Sequence, residues 1–381
     1  MARSLLLPAL LLLAACATPR ADLPQLGRAE VDERRRAIQN EALADALARE
    51  ERVLRLAWPV LLENEPLCPR VTNRMGLRLG DKDTVHGLAK GLKRDHLEEL
   101  GWGDDVRVLS VAPGSPAAGA GIMPGDVLTK VGDSEFASGD GAGRLLAAYL
   151  RPQKEGDDAD EDKPTSLTFE RDGEAFTVSP EPVSTCDVRV VSSPSGSINA
   201  TASFGTLTMY AGLLRAVEDD EVIAFIIAHE LAHWAGKHPR KVVRNSFVTG
   251  AAFWGPPLYL AAQGLDLLTE PVAKAMGAEV PPFTTLTSRA AAGAVKSADF
   301  EREADYAGLY MHVRAGGETG GLADVFQLFS NISPRNSWLL VSHPTTPERQ
   351  LRLNAAAQEI AAKQAAGEPL IPDGWEVRQP Q

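Results

Sequence analysis

The sequence has no long basic stretch and no uninterrupted apolar run long enough to cross a membrane. Its 381 residues include 39 basic and 51 acidic side chains, which gives a formal net charge of −12. Because proteins that bind nucleic acids carry a basic surface, this balance argues against a nucleic-acid partner. A transmembrane helix needs roughly 20 consecutive apolar residues, which no segment supplies. The length allows two or more domains, each with its own core.

Cysteine is scarce, with three residues in the chain, and the first of them ends an apolar leader. Arg3 precedes the apolar residues 5–13, a pattern that predicts a secretory signal and is too short for a mature spanning helix. The following Leu13-Ala14-Ala15-Cys16 resembles a bacterial lipobox. An ordinary signal peptide with an incidental cysteine is the alternative.

A lipobox implies that residues 1–15 are removed as a signal peptide and that Cys16 carries lipid chains, with residues 16–27 as a linker. Ala17 follows the cysteine, whereas an aspartate there would indicate the inner membrane. The resemblance therefore predicts a periplasm-facing protein that is anchored by lipid to the outer membrane and needs no spanning helix.

The other two cysteines are Cys68 and Cys186. An oxidising periplasm permits a disulfide between them, and we favour that pairing over two unpaired buried cysteines. Such a bridge would join the two ends of the intervening segment to the rest of the chain.

Histidine is also scarce, yet three of the seven histidines lie within residues 225–238. His229 and His233 are four residues apart, so a helix places them on one face. Glu230 lies beside them, rotated by about 100°. In this H-E-x-x-H pattern, typical of zincins, the imidazoles hold zinc and the glutamate is the base. Two hydrogen-bonded core histidines are the alternative.

A third ligand is needed, because catalytic zinc usually has three protein ligands. Glu301 and Asp305 lie four residues apart on a second predicted helix and share one face. Ala304 and Gly308 are small, so this face can pack closely on the first helix. We expect Glu301 to complete the ligand set for one zinc ion and Asp305 to accept the free N–H of His229.

The order H-E-x-x-H and then E-x-x-A-D resembles the gluzincin metalloproteases of peptidase family M48, which include CAAX prenyl proteases and periplasmic quality-control proteases. The resemblance covers roughly residues 187–355. It implies that His229, His233 and Glu301 hold zinc. It also implies that Glu230 takes a proton from water and passes it to the leaving amine.

The same resemblance gives expectations for residues outside the two helices. Asn199 and Ala200 begin the strand that forms the edge of the cleft in the family, where a substrate strand would pair. His343 and Arg349 lie in the family's late S/T-H-P-x-x-x-x-R element. This implies an active-site or regulatory position for both. For His343, oxyanion stabilisation, substrate binding and inhibitory zinc ligation all stay open.

A different pattern precedes this region. Residues 107–133 contain a strand, a Pro/Gly turn, a short Ala-rich helix and a second strand, and their SPAAGAGIMPGDVL resembles the PDZ domains of bacterial proteases. Met75, Gly76 and Leu77 lie where such domains place the loop that binds a peptide carboxylate. Two further strands within 166–183 close the domain.

The predicted fold class is α+β, with a mainly helical zincin-type domain that has a small sheet, and a β-rich PDZ-like domain. An acidic loop at 154–164 is expected to be solvated. Residues 247–268 are apolar but broken by Gly255-Pro256-Pro257, so we expect two buried helices there, with interfacial helices as the alternative. The predicted segments are an N-terminal helical segment at 28–65, the PDZ-like domain at 70–183, the metallopeptidase domain at 187–360 and a tail at 361–381. Within the first segment we expect a polar surface helix that ends near Trp58-Pro59.

Together these patterns predict a zinc endopeptidase of the bacterial envelope that cleaves misfolded or exposed protein segments. The expected partners are protein or peptide substrates and, through the lipid anchor, a membrane; the sequence predicts no oligomeric state. A PDZ-based binding or chaperone-like lipoprotein, with its zinc site silent or held shut, is the alternative. The intact Glu230 favours the enzyme. A CAAX-type activity is disfavoured because it needs several spanning helices.

Overall fold

The computed structural model describes residues 24–89, 91–135, 145–150, 166–241, 298–322 and 347–379. Its contacts divide the chain into two compact units, Met1–Glu41 and Ala42–Gln381. The described elements are a mixture of helices and strands, consistent with the predicted α+β class. The boundaries expected for the PDZ-like and metallopeptidase domains stay predictions.

Helix α1 spans Arg28–Glu63 and is longer than the sequence suggested. The expectation that it ends near Trp58-Pro59 is wrong, because Pro59 lies inside the helix. Its second half is also not a polar surface helix, since Val53, Ala57 and Trp58 are buried. Burial of this apolar face compensates for the backbone hydrogen bond that the proline cannot make.

The larger sheet has the strand order β2-β3-β4-β6-β7, and β5 pairs with β4. Its residues form their own core, which includes Val108, Leu128, Leu167 and Phe169. The predicted strand, turn, short helix and strand are all present. The elements are β2 (Leu77–Gly80), α2 (Lys82–Leu88), α3 (Arg94–Glu99), β3 (Val106–Val111), α4 (Pro116–Gly119), β4 (Val127–Val131), β5 (Ser134–Glu135), β6 (Leu167–Arg171) and β7 (Glu174–Val178).

A two-stranded ribbon joins the ends of this sheet to the rest of the chain. Strands β1 (Val71–Arg74) and β8 (Val183–Cys186) pair in antiparallel register. Beside them, Cys68 and Cys186 form a disulfide with a Cα–Cα distance of 5.5 Å. Both sulfurs are buried within the main apolar core. The bridge therefore closes a loop that contains the whole larger sheet.

The smaller sheet has the strand order β10-β11-β9, with β11 parallel to β9 and antiparallel to β10. Helices pack against it and against one another, and they share its apolar core. These elements are β9 (Arg189–Ser193), β10 (Ala200–Ala202), β11 (Thr206–Tyr210), α5 (Ala211–Ala216), α6 (Asp220–Ala235), α7 (Ala298–Arg314) and α8 (Pro347–Ala366).

A buried carboxylate connects α1 to both sheets. Glu50 is 2% exposed. It lies 2.6 Å from Arg78 Nε of β2 and accepts a hydrogen bond of 2.7 Å from Ser192 Oγ of β9. Arg78 also donates to the carbonyl of Val190, and Arg74 donates to that of Val188. Because a buried charge is costly unless it is paired, these bonds fix the larger sheet against the smaller one.

Within the described ranges, no helix has both the length and the hydropathy that crossing a membrane requires. Several predicted features lie outside those ranges. They are Cys16, the acidic loop at 154–164, the apolar segment at 247–268 and His343.

Removing the disulfide should destabilise the protein. The bridge spans 118 residues, so it restricts a long loop in the unfolded chain. Without the bridge the unfolded chain gains conformational entropy, which favours unfolding. We expect Cys68→Ala with Cys186→Ala to lower the free energy of unfolding by about 2–5 kcal/mol in urea titrations. The control is the wild type with and without reductant. Equal midpoints for variant and oxidised wild type would contradict the expectation.

Candidate metal centre

Helix α6 carries the two histidines of the H-E-x-x-H pattern. The Asp219 carboxylate caps its N-terminus by accepting the backbone N–H of Glu221 at 2.9 Å. Asp220 in the first turn pairs with arginines of α1, which links the start of the helix to α1. From Val222 to Ala235 almost every residue is buried, so the helix forms the centre of the core.

Two imidazoles and one carboxylate meet between α6 and α7. The Nε2 atoms of His229 and His233 are 3.1 Å apart. Glu301 of α7 places Oε2 3.7 Å from His229 Nε2 and Oε1 3.4 Å from His233 Nε2. All three side chains are buried. The structure thus brings together the three residues that the sequence proposed as ligands.

These distances fit a tetrahedral zinc site. Zinc bonds of about 2.0–2.2 Å in a tetrahedron place neighbouring ligand atoms about 3.3–3.6 Å apart. The two nitrogens are 3.1 Å apart, and Glu301 faces them with different oxygens, Oε1 at 3.4 Å from His233 and Oε2 at 3.7 Å from His229, so each separation lies near that range. Two nitrogens and one carboxylate oxygen are also a ligand set of catalytic zinc, and three protein ligands leave one position for water or substrate.

Asp305 and Arg349 support this ligand set. Asp305 Oδ1 accepts the Nδ1–H of His229 at 3.1 Å, which leaves Nε2 for a metal. Arg349 of α8 donates two hydrogen bonds to Asp305, at 2.6 and 2.7 Å, and lies 3.4 Å from Glu301 Oε2. An active-site or regulatory position was predicted for Arg349. Its contacts lie at the candidate site, where it is the counter-ion that positions two buried carboxylates.

The same carboxylates change the protonation of His229. Burial by itself would lower its pKa, but hydrogen bonds and charges from Asp305 and Glu301 outweigh that and raise the pKa of His229 to about 9. A zinc ion that binds Nε2 at neutral pH must therefore displace a proton. Zinc affinity should accordingly rise with pH up to that range.

Small residues allow the two helices to approach. A Cβ atom on Gly308 would lie 2.8 Å from His229 Cα, so a side chain at this position would separate the helices. Ala304, one turn earlier on α7, is fully buried. The predicted close packing is confirmed at Gly308.

A second pair of residues, His238 and Glu303, was not predicted from the sequence. His238 Nδ1 lies 2.9 Å from His233 Nδ1, and His238 Nε2 lies 3.2 Å from Glu303 Oε2. If His233 binds zinc through Nε2, its Nδ1–H donates to His238, and His238 donates its own Nε2–H to Glu303. The hydrogen bond with His238 lowers the pKa of Glu303. A histidine five residues after the motif was the available signal.

The end of α6 explains how His238 reaches His233. Gly236 is the C-cap, and Lys237 adopts a left-handed conformation with φ +58° that reverses the chain. A Cβ on Gly236 would lie 2.6 Å from His238 Nε2, so glycine leaves room for that ring. Phe300 stacks on the other face of His238 at 4.6 Å between ring centroids.

Glu230 lies beside the ligands and is 1% exposed. Its negative charge contributes to raising the pKa of Tyr210, after the larger effect of burial. Tyr210 ends β11, and its side chain hydrogen-bonds with Thr201 of β10. Helix α6, which carries Glu230, also packs against β10.

Asn199 and Ala200 lie at the start of β10, both buried. The Asn199 carbonyl accepts the backbone N–H of Tyr210 at 3.2 Å. Among the described strands β10 pairs only with β11, and its expected place at the edge of the cleft stays a prediction. Met75, Gly76 and Leu77 lie elsewhere, at the start of β2, where Gly76 has φ +74°. They belong to the larger sheet and its separate core.

Residues 175–357 match the family model described as Peptidase family M48, which covers just under half of the sequence. The matched segment contains all three candidate ligands and Glu230, and it supports a metallopeptidase of the M48 family. No curated protein matches the chain.

The pair His238 and Glu303 should strengthen zinc binding. Partners that hydrogen-bond a zinc ligand typically change metal affinity 10- to 100-fold. We expect His238→Phe and Glu303→Gln each to weaken zinc binding by about tenfold or more. Competition between the metal-free protein and a chromophoric chelator measures the affinity. His86→Phe, the same change on α2, is the matched control; affinities of all variants within twofold of wild type would contradict the assignment.

Proposed function

We propose that this protein is a zinc-dependent endopeptidase of the bacterial envelope that cleaves misfolded or exposed segments of periplasmic and outer-membrane proteins. The observation that carries the proposal is the buried set of His229, His233 and Glu301 with Glu230 beside it. The family match over residues 175–357 supports the same chemistry.

Each residue of the site has a role in this reaction. Zinc, held by the two histidines and Glu301, would polarise the peptide carbonyl and increase the acidity of water. Glu230 takes a proton from the attacking water at its carboxylate and delivers it to the leaving amine. Asp305 keeps His229 in the tautomer that presents Nε2, and burial of the site excludes bulk water.

The edge strand β10 is where we place the substrate. On the side where β10 pairs with no strand among the described residues, its backbone N–H and C=O groups would bind a peptide in extended conformation as an added strand. The helix that carries Glu230 packs against this strand. A peptide on this edge would therefore pass the catalytic carboxylate with its backbone fixed.

The larger sheet would select or deliver substrate in this proposal, as a PDZ-like domain. Strand β2 lies at the end of the sheet order, and the loop at Met75–Leu77 precedes it. A peptide C-terminus captured there would be held by backbone N–H groups. The contacts of Arg78 with Glu50 and Val190 connect this strand directly to the smaller sheet.

The alternative is a binding or chaperone-like lipoprotein in which the metal site does not turn over substrate. It would need the same sheet and the same zinc, so zinc content cannot separate the two functions. The retained carboxylate of Glu230, buried next to the ligands, favours the enzyme. A variant that changes only this group distinguishes them.

Glu230→Gln should abolish turnover while leaving zinc in place. The amide keeps the size of the side chain but cannot take a proton, and general-base catalysis typically contributes 10²- to 10⁴-fold. We expect casein cleavage to fall by at least about 100-fold, with one zinc per chain in wild type and variant. Glu368→Gln, on the exposed C-terminal end, is the control.

Two results would contradict the enzyme. Cleavage that persists in Glu230→Gln at the wild-type rate would show that another group is the base or that a contaminant cuts casein. A folded wild-type protein that binds no zinc would remove the metal chemistry altogether.

The location is tested through Cys16. We expect the wild type, expressed with its leader in a Gram-negative bacterium, to sediment with the outer-membrane fraction. Cys16→Ser, expressed in the same way, should be absent from that fraction. The physical reason is that lipid chains at this cysteine would be the anchor. Membrane fractions and mass spectrometry of the mature N-terminus measure this. A wild type that is soluble and unmodified would contradict the anchor.

A further inference from the structure

A cavity of about 230 Å³ opens where α6 ends, close to the candidate metal centre. Trp234, which follows the ligand His233 in the chain, forms part of its wall. Phe204, in the turn after β10, is 53% exposed beside it. The lining residues are Pro69, Arg70, Ser203, Phe204, Trp234, Lys237, Pro239 and Arg240.

Three of these residues are cations, in a chain whose net charge is −12. Arg70 lies 6.0 Å from the centre of the Trp234 ring and 3.4 Å from Asp187. Lys237 and Arg240 are exposed, and neither has an ion-pair partner in the ranges that the structure describes. The cavity therefore carries an excess of positive charge, and the rings of Trp234 and Phe204 form part of its lining.

The wall of the cavity is held by the fold. Arg70 is two residues from the disulfide cysteine Cys68, and its carbonyl accepts the backbone N–H of Asp187 at 2.9 Å. Ser203 makes two hydrogen bonds to the Thr206 carbonyl, which fixes the turn that carries Phe204. Cations and rings on such fixed segments lose little entropy when a ligand binds.

The cavity lies along the path proposed for the substrate. Helix α6, which carries Glu230, packs against β10, and Ser203 and Phe204 lie two and three residues beyond Thr201 at the centre of that strand. At about 3.3 Å per residue, they lie roughly 7–10 Å further along the strand edge. A peptide added to β10 would reach the cavity two or three residues from the bond that is cleaved.

We propose that this cavity is a subsite for a carboxylate on the peptide substrate, two or three residues from the scissile bond. Guanidinium and ammonium groups bind carboxylates through charge-assisted hydrogen bonds, and the Trp234 and Phe204 rings cover the apolar part of the residue. The carboxylate belongs to an Asp or Glu side chain, or to a peptide C-terminus. This specificity rests on the proposed endopeptidase function.

The experiment uses pairs of quenched fluorescent peptides built around a cleavage site that the full-length protein cuts in casein. Each pair places Glu or Gln at one position, scanned over three residues on both sides of the scissile bond. A second set ends two or three residues beyond the bond, as the free acid or the amide. The first set detects a side-chain carboxylate and the second a terminal one.

The wild type should prefer Glu to Gln, or free acid to amide, by about five- to tenfold in kcat/KM at one position only.

Lys237→Gln with Arg240→Gln should reduce that ratio to below about twofold, because both exposed cations are lost. Lys93→Gln with Arg352→Gln removes the same charge from exposed sites elsewhere and should keep the wild-type ratio. The ratio should also decrease in about 1 M salt.

Binding of the same peptides to the Glu230→Gln protein, measured by fluorescence anisotropy, gives the second readout and needs no turnover. A wild type that cleaves both members of every pair equally, with equal anisotropy affinities, would overturn the subsite. So would a preference that survives in the Lys237→Gln, Arg240→Gln protein. A wild type that binds zinc but cleaves nothing would instead refute the endopeptidase function. The ratio of the affinities for the two peptides of a pair, measured by anisotropy, would still test the subsite.

Discussion

The packing of α7 on α6 at Gly308 is the contact on which the candidate metal centre depends. His229 and His233 are set by one helix, but Glu301 and Asp305 reach them only because two helix backbones nearly touch. A Cβ at Gly308 would lie 2.8 Å from His229 Cα, and the displacement needed to relieve that clash exceeds the roughly 0.2 Å that metal bonds tolerate. The smallest side chain therefore occurs where the ligand geometry is most sensitive.

Charge balance is the second constraint on the site. Two imidazoles and the carboxylates of Glu230, Glu301 and Asp305 are all buried, and isolated charges at such positions cost several kcal/mol each. Arg349 offsets part of this cost by binding Asp305 through two hydrogen bonds. His238 and Glu303 support the other ligand, His233, in a similar way. Hydrogen bonds through Asp305 to Arg349 thus orient His229, and hydrogen bonds through His238 to Glu303 orient His233.

The rest of the fold presents a strand edge to this site and connects it to the larger sheet. Among the described strands β10 lies at one end of the smaller sheet, and the carbonyls of Val188 and Val190, before and within β9 on the other side, accept hydrogen bonds from Arg74 and Arg78. Glu50 and the Cys68–Cys186 bridge hold the same junction. A peptide bound at the edge, the proposed carboxylate subsite and the larger sheet therefore share one rigid framework of backbone hydrogen bonds and a covalent link.

The sequence by itself determined the ligand residues and the local elements, because four-residue spacing on a helix and turn chemistry around glycine are local properties. It predicted His229, His233, Glu301, the small residues between the helices and the strands around the SPAAG turn. Only the tertiary structure decided the positioning role of Arg349, the His238–Glu303 pair, the continuation of α1 through Pro59 and the cationic cavity at Trp234. These depend on contacts between residues far apart in the chain, which spacing along one element does not encode.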